Sequence, residues 1–288
     1  MGVKKSKLWY TSVHMARIIS IVNQKGGVGK TTTAINLSAA LAKEGQRVLL
    51  VDMDPQGNAT SGFGIDTTQL EKTMYDVLVD GMPIADMLLE SGVENLHVAP
   101  SNVDSAGASV ELVPLENREY RLRTAIEVVR PHYDFIFVDC PPSLGVITIN
   151  GIVGADEVLV PVQTEYYALE GLGQLLRTIE LIREHLHPEL QILGAVLTMF
   201  DKRNKLSEAV FKDIYQYFPY KVFGTVIPRN VRLAEAPSYG KPVTEYDPSS
   251  KGARAYTKLA RELLYTEAGS VQRTEAINQL REQEHNEQ

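Results

Sequence analysis

Three carboxylates, two lysines and a run of glycines are spaced as a phosphate-handling site would space them. The stretch QKGGVGKTT, residues 24–32, follows the strand-like RIISIVN and runs into KTTTAINLSAALAKEG, which has a helical pattern. Gly26, Gly27 and Gly29, with Val28 between them, let the backbone turn its N–H groups toward an anion, and the helix N-terminus adds partial positive charge. In that setting Lys30 reaches the β- and γ-phosphates of a nucleotide, the Thr31 hydroxyl ligates Mg²⁺, and Thr32 completes the turn. The usual pattern is G-x-x-x-x-G-K-[ST], and here Gln24 stands where its first glycine belongs. Lys25, five residues before Lys30, is a second lysine that the pattern does not call for. Two acids, Asp52 and Asp54, end VLLVDMD. Side chains two apart on a strand share a face, so both point to the phosphate end if extended geometry persists to Asp54. They either orient Mg²⁺ and its waters or position the water that attacks the γ-phosphate. Asp139 ends FIFVD after four apolar residues, the Walker B arrangement in which a strand-end acid holds the metal, usually through water.

Such residues need a scaffold that delivers strand ends to one place. Apolar runs of strand length recur at 17–23, 47–54, 95–99, 133–139, 157–162, 192–199 and 222–227, with helical patterns between them. Several, such as VLLVD and FIFVD, are apolar without alternation, as strands covered on both faces are. The expected fold class is α/β, a doubly wound, mostly parallel sheet with helices on both faces, binding its ligand beyond the carboxyl ends of the strands. One domain is expected over residues 15–265. Residues 1–14, with lysines at 4, 5 and 7, form an extension without clear periodicity, and residues 266–288 are a polar tail rich in Glu and Gln. Met15 is expected to open the core fold.

The chain has 288 residues and a net charge of −7, which taken alone disfavours a nucleic-acid partner. The distribution says otherwise: between Phe200 and Arg261 there are twelve Lys and Arg against six Asp and Glu, an excess of +6. A single cysteine, Cys140, excludes a disulfide framework and any Cys-only metal site within one chain, and points to a reducing, cytoplasmic compartment. There is no apolar run long enough to span a membrane and no signal peptide pattern.

KGGVGKTT, VDMDPQGNATSG, FIFVDCPPSLG, VPVQTEYYALEG and TVIPRNVRLAEAPSYGKP together resemble the ParA family of chromosome-partitioning ATPases, P-loop NTPases of the deviant Walker A type, and within it the short Soj branch. The resemblance spans roughly residues 16 to 265. It implies that Lys25 reaches across a nucleotide-sandwich homodimer to the partner's phosphates, so that ATP becomes part of the dimer interface. It makes Asp54 the residue that orients the hydrolytic water, with Asp52 and Asp139 supporting magnesium. It also implies adenine contacts from Pro228 and Asn230, a contact from Glu165 to nucleotide across the dimer, and contacts to DNA phosphates from Arg203 and Arg232. Phosphate contacts give affinity without sequence preference, which suits a chain lacking helix-turn-helix, zinc-finger or RRM signatures. The implied cycle is ATP-driven dimerisation, non-specific double-stranded DNA binding on the nucleoid, and release by slow hydrolysis that a ParB-like protein stimulates.

Three rivals share parts of this pattern. A MinD-like membrane-associated positioning ATPase needs a basic amphipathic C-terminal helix, whereas residues 262–288 carry six Glu against Arg273 and Arg281, so no membrane partner is expected. A nitrogenase-like reductase needs two cysteines per chain. A nucleotide-dependent scaffold with negligible hydrolysis is separable by measured turnover.

Overall fold

The computed structural model describes residues 15–165 and 168–265, so the expected N-terminal extension and C-terminal tail lie outside the described residues. Its strands are β1 (Arg17–Ile21), β2 (Val48–Asp52), β3 (Leu89–Glu90), β4 (Leu96–Ala99), β5 (Phe135–Asp139), β6 (Glu157–Gln163) and β7 (Gln191–Thr198). They form one sheet in the order β3-β4-β2-β5-β1-β6-β7. The β3–β4 pair is antiparallel and the other pairs are parallel.

The central strands show why their sequences do not alternate in polarity. Every residue of β2 and β5 is buried. Leu49, Val51, Ile136 and Val138 enter the core on one face, while Val48, Leu50, Phe135 and Phe137 enter the core on the other. Burying each such side chain contributes about 1.5–3 kcal/mol. Truncating Phe137 to alanine therefore costs about 3–5 kcal/mol, the cavity included. Helix α1 (Lys30–Lys43) is buried continuously from Thr33 to Ala42. Its small residues Ala34, Ser38, Ala39 and Ala40 suit a helix packed between the sheet and a C-terminal helix over residues 251–265. The opposite face is covered by helices that include Ala168–His185 and Lys205–Tyr217, through Leu172, Leu175, Ile179, Val210 and Ile214.

One expected strand is not formed. The run 222–227 lies beside β7, with one isolated bridge to it, Ala195 with Val222, and a second just beyond both, Phe200 with Pro228. Between them the N–H groups of Gly224 and Thr225 donate instead to the Glu262 carboxylate, at 2.7 and 2.9 Å. A ladder cannot continue where its donors are taken by a side chain from another helix. Conversely, β3 is too short to leave a sequence pattern.

Candidate functional site

β1 lies inside the sheet between β5 and β6, where the chain's direction of winding reverses and where open α/β sheets bind ligands. The loop that follows β1 is tied down at three points. Asn23 donates to Pro161 O at 2.8 Å and accepts from Lys25 N–H at 3.0 Å, while the Thr198 hydroxyl donates to Val28 O at 2.7 Å. Gly27 and Gly29 have φ of 75° and 92°, values that side chains resist. A Cβ on Gly26 or Gly27 would meet nothing within 4 Å, so the space above the loop is open. Gly29 caps α1 without any side-chain hydrogen bond, which leaves the first-turn N–H groups available to an anion. Lys30 is buried and donates to Lys25 O at 3.2 Å. Burial lowers its pKa, against the attraction of Asp139 and Asp54.

Asp52 and Asp139 are directly paired in register at the ends of β2 and β5. Their surroundings differ. Asp52 accepts from Thr60 N–H at 2.8 Å, from the Thr60 hydroxyl at 2.7 Å and from Asp54 N–H at 3.1 Å, so both of its oxygens are engaged in holding the 54–60 loop. The Thr60 hydroxyl in turn accepts from Ser101 N–H at 3.0 Å, joining this loop to the end of β4. Burial pushes the Asp52 pKa up to about 6. Asp139 is fully buried, and among the described residues neither of its carboxylate oxygens has a hydrogen-bond partner. Its pKa is raised well above the ordinary value by burial and then by Asp52, with Thr31 and Lys30 pulling the other way. An orphaned carboxylate beside a threonine and a lysine fits a hydrated divalent cation, which would satisfy both oxygens.

Strand β2 ends at Asp52, so Asp54 is carried by a turn and not by strand geometry. The turn still brings it close, because its charge acts on both Lys30 and Asp139. Asp54 accepts from Gln56 N–H at 3.0 Å.

Lys25 and Glu165 are brought together. The Lys25 ammonium lies 2.7 Å from Glu165 Oε2, with both side chains close to half exposed, and Gln163 donates to Glu165 Oε1. Within a single chain, the two residues expected to reach a partner's nucleotide hold one another.

Pro228 and Asn230 line a cavity of about 220 Å³ together with Gly29, Thr32, Met199 and Tyr256. It borders the phosphate loop and the first turn of α1 through Gly29 and Thr32. Asn230 Oδ1 accepts from Arg232 N–H at 2.9 Å and so caps the short helix Val231–Glu235. Tyr256 was not expected from the sequence, where it is one tyrosine in a helical pattern.

The two arginines expected at DNA are separated. Arg203 lines a groove of about 1020 Å³ with Lys202, Arg229, Lys251, Arg254 and Lys258, floored in part by Phe200 and Phe211. Its side chain is 90% exposed and paired with Asp201, whose pKa falls to about 2 through that hydrogen bond. Arg232 does not line the groove and is paired with Glu235 at 2.8 Å and Asp247 at 3.3 Å. The cations that join Arg203 were legible in one respect: Lys251, Arg254 and Lys258 are spaced i, i+3, i+7, one stripe of a helix. Among the described residues no helix is long and apolar enough to cross a membrane.

Known proteins share this arrangement. A family model described as an AAA domain (AAA_31) matches residues 16–192. The sporulation initiation inhibitor protein Soj of Bacillus subtilis (strain 168) is 55% identical over 249 residues, which cover 86% of this chain and 98% of that protein. The chromosome partitioning protein ParA of Caulobacter vibrioides (strain NA1000 / CB15N) is 52% identical over 258 residues, covering 89% and 97%. Among solved structures, cobyrinic acid a,c-diamide synthase from Mycobacterium smegmatis with bound ADP and magnesium superposes with a TM-score of 0.77 at 38% identity, covering 87% of this chain and 94% of that one. The cell division ATPase MinD of Pyrococcus furiosus does so with a TM-score of 0.72 at 31% identity, covering 88% and 100%. The fold is shared with the solved structures, but the identity to the partitioning proteins is higher and runs through nearly their whole length, so the chain belongs to the Soj/ParA family of chromosome-partitioning ATPases.

Proposed function

We propose that this chain is a DNA-partitioning ATPase whose ATP-bound homodimer binds double-stranded DNA without sequence preference and is released by slow hydrolysis that a ParB-like partner accelerates. The observation that carries the DNA part is the six-cation groove beside the base cavity in a chain that is acidic overall. Phosphate is the ligand such a groove suits.

At the nucleotide, Lys30 and the N–H groups of the loop through Gly26, Gly27, Val28, Gly29 and Thr32 bind the phosphates. Thr31 and Asp139 hold magnesium, and Asp52 supports that site by fixing the loop that follows β2. Magnesium when bound neutralises charge on the phosphates. Asp54 orients the attacking water, and Pro228 and Asn230 contact the adenine. Lys25 and Glu165 exchange their mutual contact for contacts to the partner's nucleotide. A lysine supplied in trans links dimerisation to turnover, because catalysis here is mostly positioning and charge neutralisation. The neighbours crystallised with ADP, an ATP analogue and magnesium support the choice of ligands.

Lys25→Ala is expected to weaken ATP-dependent dimerisation more than it weakens nucleotide binding by the monomer. The lost contact to Glu165 is close to half exposed, so the fold should lose no more than about 1 kcal/mol. Sedimentation with ATP beside nucleotide titration separates the two effects; equal losses would return Lys25 to its own chain's site.

Salt titrations of DNA binding test the groove. Each phosphate contact contributes about 0.9 to the slope of log affinity against log salt, so Arg203→Ala should flatten it by about twice that in a dimer, equally on unrelated sequences. Arg232→Ala should do less, because Arg232 lies off the groove and two carboxylates face it against one at Arg203. An unchanged slope in Arg203→Ala would put the DNA surface elsewhere. Turnover measured with and without DNA and a ParB-like protein tests the cycle, and turnover indifferent to both would favour the scaffold reading.

A further inference from the structure

The loop that carries Asp54 is held at the ends of two neighbouring strands. β2 and β4 pair in parallel up to Val51 with Ala99, so the chain leaves both strands at the same level of the sheet. Thr60 bridges the two exits. Its N–H and its hydroxyl both donate to one oxygen of Asp52, at 2.8 and 2.7 Å, and the hydroxyl oxygen accepts from Ser101 N–H at 3.0 Å. The other Asp52 oxygen accepts from Asp54 N–H at 3.1 Å. Asp52, Thr60 and Ser101 have no exposed surface, and Asp54 keeps 8% of its own.

These contacts constrain different things. The two N–H groups tie both ends of the 54–60 loop to β2 through a single carboxylate, which fixes where the loop starts and ends. Ala59 packs in the apolar core, which holds the loop down without orienting its polar groups. The bond to Ser101 adds a directional contact to a second strand, and the Thr60 hydroxyl is the only side-chain group in it. Gly57 shows how closely the loop is pressed against that strand's end: its φ is 61°, and a Cβ there would come 2.8 Å from Ser101 O. Asp54 is turned within the same loop, its side chain accepting from Gln56 N–H and its carbonyl from Gly57 N–H at 2.9 Å, so a shift of Gly57 is passed to the carboxylate. If filling space were the only requirement at position 60, valine would meet it without burying a hydroxyl, which is costly unless paired.

We infer that Thr60 is a positioning residue for hydrolysis: its hydroxyl joins Asp52 to Ser101 N–H and so fixes the direction in which Asp54 presents its carboxylate to the attacking water. This rests on the reading of Asp54 as the residue that orients that water. The hydrogen bonds of the Thr60 side chain go to Asp52 and Ser101 and not to the phosphate loop, so its loss falls on the chemical step and not on the grip on nucleotide. A misplacement of about 1 Å at a reacting group can cost about 10²-fold in rate.

The test measures magnesium-dependent ATP turnover by the full chain, beside ADP titration and thermal melting. Thr60→Val should lower kcat about tenfold or more, with KM for ATP and ADP affinity within about twofold of the wild type. Thr60→Ser, which keeps the hydroxyl, should restore kcat to within about threefold. Gly57→Ala pushes the same loop off Ser101 while leaving the hydroxyl present, and should separate kcat from KM in the same way even if Thr60→Val fails to fold. Adding Thr60→Val to Asp54→Ala should slow turnover no more than about twofold beyond Asp54→Ala alone, because both act on one water. A threonine with only a structural role would lower the melting temperature and leave kcat standing, or move kcat and KM together. Either result overturns the inference, as do a serine variant no better than valine, a Gly57→Ala protein with wild-type kcat, and full additivity with Asp54→Ala. A Thr60→Val protein with wild-type kcat beside an inactive Asp54→Ala protein overturns the inference and leaves the reading of Asp54 intact, whereas wild-type turnover in Asp54→Ala removes both.

Discussion

Replacing Asp54 with alanine is expected to lower ATP turnover by about 10²-fold or more while nucleotide binding survives, so that ATP-bound dimers accumulate. On the proposed reading the phosphates are gripped by Lys30 and the loop amides, whose positions are set by contacts other than Asp54, while Asp54 handles the water. Asp52 is occupied with Thr60 and Asp54 N–H, and Asp139 sits against Thr31 and Lys30. Asp54 also accepts from Gln56 N–H, so alanine removes a turn contact worth about 1 kcal/mol together with the charge. Asp54→Asn separates the two, because its side-chain oxygen can keep the turn. Turnover should collapse in both variants. Retained turnover in the asparagine variant would make Asp54 a turn residue and not a catalytic one, and a variant that stays monomeric with ATP would place it in nucleotide binding.

Asp139→Asn should raise the thermal stability of the nucleotide-free protein at neutral pH while abolishing magnesium-dependent turnover. Both members of the buried carboxyl pair have pKa values above the ordinary 3.8, Asp52 near 6 and Asp139 higher in direction, with burial the first cause in each. A carboxyl with a raised pKa favours the fold fully below its unfolded value and loses that contribution as pH climbs through the folded one. The nucleotide-free chain should therefore weaken from about pH 4 upward through pH 6 and beyond. Asparagine does not ionise, so the variant should show a flatter pH profile and a higher midpoint, by about 2–4 °C for each kcal/mol recovered. Thermal melts across that range check this. A lower midpoint for the variant at neutral pH would mean that Asp139 is held as a carboxylate by Lys30 and contributes to the fold in that form.

The central fold was legible because β2 and β5 are buried on both faces and their sequences say so residue by residue. The phosphate loop was legible because its glycines, lysine and threonine are contiguous. What was not legible depends on contacts between distant residues. The run 222–227 has strand composition, and only Glu262, some 37 residues away, diverts its donors. Lys25 and Glu165 meet across 140 residues, which no local pattern encodes. Asp52 and Asp54 look equivalent in VLLVDMD, yet Thr60 engages one of them and leaves the other to the turn. Arg203 and Arg232 both lie in the basic segment and both are paired with acids, and only the packing of the chain places Arg203 on the groove and Arg232 off it. The net charge of that segment was visible as a sum. Its concentration into one groove, through the Lys251, Arg254 and Lys258 stripe, is a property of the packed helix.

The two margins of the sheet govern how copies of this chain avoid sticking together by accident. An open edge of unpaired N–H and C=O groups invites strand addition from a neighbour, the usual first step towards aggregates. On one side the margin is β3, two residues long and antiparallel, which offers too little ladder for another chain to extend. On the other side β7 is shielded by the 221–228 segment, whose donors at Gly224 and Thr225 are both consumed by Glu262. Deleting that carboxylate, as in Glu262→Ala, would uncover two adjacent donors on an otherwise strand-like run and should make the protein prone to concentration-dependent aggregation without touching any residue of the nucleotide site. Crowding on a shared surface then becomes tolerable for such a chain, because neighbours held close find no lateral seam along which to zip.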